Sequence, residues 1–392
     1  MVVVIFGDNF SFPEGDAATN RIYSYAKGFI ENSVTAYVIC NRNDYLENGN
    51  GILDSIEYFN PINKSERSNS YLVRNWSKVA KYFNTVRLIK RINSQERISA
   101  IIADTDDSIT YLFSYFVAKR IKTKLISEKS EHPLRLFQQN GFKKVQGLIK
   151  LRIESGLCDG IFCISRLLED FYRNYGLPQG RLILIPSTVV PGRFIQSDEK
   201  PLDYSYVGYF GGLTFNRDNI DVLINAFALT SEKHPDIHLV VGGFCSADER
   251  TRLKNLILDL KMSSKILLLD YLARTEIVRY IVHADILVMV RAKDFETSAS
   301  FPSKLAEYLS TSKPVITVNV GEISDYLTDN VNSFIIEPGN QIELAEKMSF
   351  VLDNYETALK VGQRGKELTD TVFNYNFQAK RMIGFINSLN SN

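Results

Sequence analysis

Short apolar runs recur along the chain, and most are followed by a stretch with helical spacing of its apolar positions. In the first half the runs lie at residues 2–6, 34–40, 98–103, 124–127, 160–165 and 181–185. In the second half they lie at 204–210, 237–241, 266–269, 286–290 and 315–318, separated by helical patterns over 218–231, 246–260 and 274–283. A short continuous apolar run bounded by turn residues predicts a buried strand, and a 3.6-residue period predicts a helix with one buried face. Strand and helix alternating at this spacing predict parallel sheets covered on both faces, because each parallel crossover needs a helix. The chain has 392 residues, enough for two domains of this kind, each with its own core. A polar, turn-rich stretch up to Leu202 places the boundary between a first domain at 1–195 and a second at 196–370. Residues 371–392 form a closing segment whose helical pattern covers 375–389.

Charge adds a local feature to that layout. The 46 Lys and Arg against 45 Asp and Glu leave a net charge of +1, which argues against a nucleic-acid partner. Two segments of the first half are nonetheless basic and apolar together. Residues 63–97 carry Arg74, Lys78, Lys81, Arg87, Lys90 and Arg91 around Trp76, the single tryptophan, and residues 141–153 interleave Phe142, Val145 and Ile149 with four positive charges. Each alone reads as a solvated helix face; the two together predict contact with an anionic membrane surface. No uncharged run approaches 18 residues, so no membrane-spanning helix is expected. The start of the chain reads as a first strand, since no basic segment precedes its apolar run. Cys40, Cys158, Cys163 and Cys245 are scattered without metal or redox spacing, which suits a reducing, cytoplasmic setting, with peripheral attachment to the inner face of the membrane.

The stretch from Phe301 to Val318, FPSKLAEYLSTSKPVITV, is the most informative in the chain. Pro302 suits a first helical turn, where a missing N–H costs nothing. The N–H groups of Ser303, Lys304 and Leu305 would then face outward at a helix start, where the dipole favours an anion, and Lys304 adds a full charge there. Glu307 follows Ser303 at i+4, roughly 5–6 Å further along the same face. That distance is too long for a phosphate on the helix start and suits the ribose attached to it, whose cis-diol can donate two hydrogen bonds to one carboxylate. The alternative is a plain amphipathic helix with Leu305, Ala306 and Leu309 in the core and Lys304–Glu307 as a surface pair.

Phe301-Pro302, Glu307 and the run Lys313-Pro-Val-Ile316 resemble the signature of glycosyltransferase family 4, retaining nucleotide-sugar transferases of the GT-B fold. The resemblance implies an α/β, GT-B architecture, two Rossmann-like parallel-sheet domains facing across a cleft, with the last helix crossing back to the first domain. That signature usually carries two glutamates eight positions apart; the first would fall on Ala299. Glu296, or backbone amides of residues 298–301, would then have to meet the donor sugar. The resemblance also implies basic residues behind Gly211 and Gly212 to hold the donor diphosphate. Leu213 and Asp218 occupy those positions, and Arg217 is the neighbouring base. In the first domain the loop bearing Gly15, with Pro13 and Arg21, resembles the family's glycine loop. His132 is the only histidine of that half and, with Glu131, stands as the catalytic candidate. Asp104-Thr-Asp106 copies a metal-binding Asp-x-Asp, but the chain around it resembles the metal-independent GT-B type, so no metal and no cofactor are expected.

The expected activity is transfer of a sugar from a nucleotide-diphosphate donor, UDP ahead of GDP, to a hydroxyl of a glycan or lipid-linked acceptor. Retention and a role in surface polysaccharide assembly go with the resemblance. Ala299 keeps a second reading open, a non-catalytic GT-B subunit that binds a nucleotide or a protein partner.

Overall fold

The computed structural model describes residues 1–42, 49–62, 69–133, 140–195, 199–270 and 272–389. The chain divides into two compact units, Met1–Thr188 with Tyr375–Asn392, and Val189–Asn374. Residues 63–68 of the first basic segment and 196–198 of the polar boundary stretch lie outside the described residues.

The first unit is built on one sheet of β1 (Val2–Gly7), β2 (Thr35–Cys40), β3 (Gly51–Leu53), β4 (Ile56–Phe59), β5 (Ile98–Asp104), β6 (Lys124–Lys129), β7 (Gly160–Cys163) and β8 (Leu182–Leu184). Their order is β3-β4-β2-β1-β5-β6-β7-β8, parallel throughout apart from the antiparallel β3–β4 pair. β1 is fully buried, as a strand covered on both faces must be, and this is why it reads as an unbroken apolar run. α1 (Ala17–Glu31) carries the chain from β1 to β2 in one direction along the sheet. α2 (Tyr71–Gln95), α3 (Ser108–Ile121), α4 (Phe142–Leu157) and α5 (Arg166–Asn174) carry it the other way. Right-handed crossovers therefore put α1 on one face and α2 to α5 on the other. α2 is one continuous helix of 25 residues, because nothing between Tyr71 and Gln95 breaks it.

The second unit has a parallel sheet of β9 (Tyr206–Gly212), β10 (His238–Phe244), β11 (Ile266–Leu268), β12 (Ile286–Met289), β13 (Val315–Val318) and β14 (Phe334–Ile336), ordered β11-β10-β9-β12-β13-β14. Around it run α6 (Ile220–Lys233), α7 (Ala247–Asp259), α8 (Arg274–His283), α9 (Phe295–Ala299), α10 (Ser303–Leu309), α11 (Ile323–Tyr326), α12 (Gln341–Asp353) and α13 (Tyr355–Asp370). Val207, Val241 and Val288 of the strands pack with Leu223 and Phe227 of α6 and Leu344 and Met348 of α12 in its core. β9 and β10 run past their apolar residues into glycine pairs, with Gly242 opposite Phe210 and Gly243 opposite Gly211. The extension holds because the two backbones approach closely: a Cβ on Gly243, whose φ is +151°, would lie 1.7 Å from the Gly211 carbonyl oxygen.

α14 (Tyr375–Ser388) belongs to the first unit, where it packs on α1. The contact is tight enough that a Cβ on Gly28 would sit 2.7 Å from that of Ala379. The strand order reverses direction between β1 and β5 in one sheet and between β9 and β12 in the other. In open parallel sheets, ligands bind outside the carboxyl ends of the strands at such a switch point.

Candidate functional site

In the second unit the switch point lies where β9 ends in Gly211-Gly212 and β12 leads into Val290 and Arg291. α10 is fixed over it by its own sequence. Leu305, Ala306 and Leu309 are fully buried, and Tyr308 ties the helix to the main chain of β9. The Tyr308 hydroxyl donates to the Phe210 carbonyl at 3.0 Å and accepts from the Phe210 N–H at 2.7 Å. One turn earlier, Lys304 lies across the end of the same strand. Its ammonium donates to the Tyr209 hydroxyl at 3.1 Å and sits 4.5 Å above that ring. Gly211 is glycine for this reason: a Cβ there would lie 1.9 Å from the Lys304 nitrogen.

Two further cations share the place. Arg291, buried, donates to the Ser300 hydroxyl at 2.8 Å. Arg217, exposed, is held beside it by its carbonyl, which accepts from the Ala292 N–H at 2.9 Å. Burial pushes the Lys304 ammonium down to about 8; Asp218 and Glu307 oppose that shift, while Arg291 and Arg217 add to it. Burial likewise pushes Arg291 down to about 10, with Arg217 adding to it and Asp218 and Asp294 opposing. Asp218 is partly used already, accepting from the Thr214 hydroxyl at 2.7 Å. The arrangement is a concentration of positive charge at a strand end, suited to an anion that keeps Lys304 protonated as pH rises.

That linkage has a sign. Anion binding raises the Lys304 pKa, so binding takes up a proton, and affinity falls as pH rises through about 8. UDP should bind about tenfold more weakly at about pH 9 than at about pH 7. Titration calorimetry of the wild type should show that slope, and Lys304→Ala should flatten it.

The sequence-predicted residues divide between the two units. Ser303, Lys304, Glu307, Gly211, Gly212 and Arg217 come together at the β9–β12 switch point. Leu305 does not supply an amide: its N–H donates to the Pro302 carbonyl at 3.1 Å in a tight first turn. Pro302 itself is extended, with ψ of 113°, and stands as the cap rather than inside the helix. Glu296 lies on α9, a single turn whose Asp294 cap accepts from the Thr297 N–H at 2.7 Å. Ala299 on that turn is fully buried, and the Ser298 amide donates to the Asp294 carbonyl at 3.0 Å.

Gly15, Glu131 and His132 belong to the first unit, on loops that leave the carboxyl ends of β1 and β6. Gly15 sits against Thr19, whose hydroxyl donates to the Ser11 carbonyl at 2.6 Å. Glu131 is exposed. The His132 ring meets that of Phe171 edge-on at 4.5 Å, and burial lowers its pKa, which keeps it neutral at pH 7.

Two groups escaped the sequence reading. Arg291 is one; it directly follows the apolar run 286–290, and only the strand order puts the end of that run at the switch point. The other is a buried charge cluster near the β1–β5 switch point. Arg21 meets Asp104 at 3.2 Å and Glu128 at 2.9 Å, and Asn9 donates to the other oxygen of Asp104 at 3.1 Å. Two carboxylates share one guanidinium, and burial raises both, Glu128 to about 8. The Asp104 of the Asp-x-Asp is therefore engaged by Arg21 and Asn9.

Two Rossmann-like units, each a parallel sheet with a loaded switch point, make this an α/β protein of the GT-B fold. Residues 193–368 match the family model described as Glycosyl transferases group 1. An uncharacterized glycosyltransferase of Methanocaldococcus jannaschii is 26% identical over 167 residues, 43% of this chain and 44% of that protein. The chain thus spans less than half of that curated relative. Among solved structures, sucrose-phosphate synthase from Thermosynechococcus elongatus matches with a TM-score of 0.71 at 15% identity, over 99% of this chain and 98% of that one. Anabaena HepE, solved with UDP-glucose, matches with a TM-score of 0.70 at 16% identity, over 99% and 100%. At these identities the solved structures define the fold, and residues 193–368 are similar to the group 1 glycosyl transferases.

Proposed function

We propose that the protein is a family 4 glycosyltransferase that moves a sugar from a nucleotide-diphosphate donor, UDP ahead of GDP, to a hydroxyl of a glycan or lipid-linked acceptor. The observation that carries this is the cluster of Lys304, Arg291 and Arg217 at the β9–β12 switch point, with Glu307 one turn along α10. In such a transfer the bond from the anomeric carbon to the diphosphate breaks, and negative charge grows on the leaving oxygen. Cations already fixed there stabilise that charge without reorganising, which lowers the barrier without a metal. Glu307 accepts from the ribose diol and sets the register of the donor. His132, neutral at pH 7, and Glu131 stand on the acceptor side of the proposal. Retention and a role in surface polysaccharide assembly complete the reading.

One observation favours a second reading, a GT-B subunit that binds nucleotide without transfer: the buried Ala299 offers no carboxylate to the donor sugar. A thermal-shift screen over UDP-, GDP- and ADP-sugars, followed by a turnover assay in EDTA, separates the two. The transferase reading expects a rise in Tm with UDP-sugars and turnover that survives EDTA. Binding without turnover or hydrolysis selects the subunit. Turnover abolished by EDTA and restored by Mn²⁺ contradicts the cation-based mechanism.

A further inference from the structure

The face of the first unit that carries α2, α3 and α4 is unlike an ordinary solvated surface. On α2, Leu72, Trp76, Val79 and Phe83 follow one another at helical spacing on the exposed side, with Leu72 78% and Trp76 68% exposed. On α3 the same holds for Ile109, Leu112 and Phe116, where Ile109 is 68% and Phe116 65% exposed. On α4, Val145, Ile149 and Ile153 repeat the pattern. α3 packs against both α2 and α4, so the three stripes lie on neighbouring helices of one sheet face. The buried sides of these helices supply the core contacts, and the outward stripes are left largely to solvent. Contiguous exposed apolar surface of this kind marks an interaction site.

Charge identifies the occupant. The three helices hold twelve Lys and Arg against one acid, Glu154, in a chain whose net charge is +1. Glu154 is buried and paired with Lys129 at 3.2 Å, so it does not offset the exposed charge. Lys78, Arg87, Lys119, Arg120, Lys144 and Arg152 all reach solvent. Acids border this face at its edges: Asp106 and Asp107 at the amino end of α3, where Asp107 caps the helix through the Thr110 N–H at 2.8 Å, Asp8, which accepts from the Thr110 hydroxyl at 2.8 Å, and Glu169 and Asp170 of α5, both paired with Arg173. A second copy of the chain would bring the same positive charge against itself. A polyanion without an apolar layer would leave the aliphatic stripes in water. An anionic lipid bilayer satisfies both, with its headgroups meeting the basic residues and its acyl boundary taking the apolar side chains.

We propose that α2, α3 and α4 form a docking face for a bilayer containing anionic lipid, with Leu72, Trp76, Phe83, Ile109 and Phe116 entering the acyl boundary. No described helix is long and apolar enough to cross a membrane, so the contact lies in the interface. The proposal does not depend on the transfer reading, and its test uses no substrate.

Trp76 is the only tryptophan, so its emission reports on this face alone. The full chain is mixed with vesicles of phosphatidylcholine with and without phosphatidylglycerol, and followed by co-sedimentation and emission wavelength. The expected result is binding that requires phosphatidylglycerol, a blue shift of Trp76, and only partial release as salt rises, since screening removes the ionic part and leaves the apolar part. Phe83→Ser and Phe116→Ser should each weaken binding about tenfold or more with circular dichroism unchanged, because both side chains are exposed in the fold. Equal binding to the two vesicles, or binding with an unshifted Trp76, overturns the proposal. So does a concentration-dependent blue shift without vesicles, which would assign the face to a second copy of the chain.

Discussion

Lys304→Ala should slow sugar transfer by roughly a hundred- to a thousandfold, the loss of about 2.7–4 kcal/mol seen when one preorganised donor to a developing oxyanion is removed. The loss should fall more on kcat than on donor binding, because the charge Lys304 faces peaks in the transition state. The substitution removes a cation that burial already holds near 8, so the folded protein loses an unfavourable group when empty and should not melt earlier. Gly211→Ala makes the same point without changing the lysine. The new Cβ would lie 1.9 Å from the Lys304 nitrogen and 2.6 Å from its Cε, so the flexible end of the side chain must swing away. The chain should fold, since only a mobile terminus yields, yet transfer should drop in the same direction. Steady-state kinetics on the two variants check this. Wild-type kcat in both would remove Lys304 from the chemistry.

Glu307→Gln should act on a different part of the donor. Glutamine keeps the shape but replaces a charged acceptor by a neutral one. Hydrogen bonds to charged groups contribute about 1.5–3 kcal/mol, against about 1 for neutral pairs. UDP should therefore bind about tenfold more weakly, and pyrophosphate, which has no ribose, should bind as to the wild type. Were Glu307 only a neighbour of Lys304 on α10, both ligands should bind Glu307→Gln as they bind the wild type.

The strand–helix alternation was legible because a strand buried on both faces must be apolar throughout, as β1 and β12 are. β3 and β4 were not, because exposed Ile52 and Glu57 keep either from being an unbroken buried run. The extension of β9 and β10 through glycine pairs was hidden too, since their pairing rests on backbone alone. At the site, Lys304 and Glu307 stood out because their spacing on a helix start has a chemical meaning. Arg291 did not, because a lone arginine after a strand looks like any surface charge until the switch point between β9 and β12 is known. Arg21, Asp104 and Glu128 lie 83 and 107 positions apart in pairs with Arg21, so only the fold could bring them together. The first turn of α10 shows the reverse error: Pro302 reads as a helical residue, yet it stays extended and its carbonyl takes the Leu305 amide.

The central claim is that the β9–β12 switch point binds a nucleoside diphosphate with its phosphates on Lys304 and its ribose on Glu307. Isothermal titration of Lys304→Ala and Glu307→Gln, each with UDP and with pyrophosphate, tests it most directly. The account predicts a crossed pattern: Lys304→Ala weakens both ligands, and Glu307→Gln weakens UDP alone. Four affinities equal to those of the wild type would contradict it.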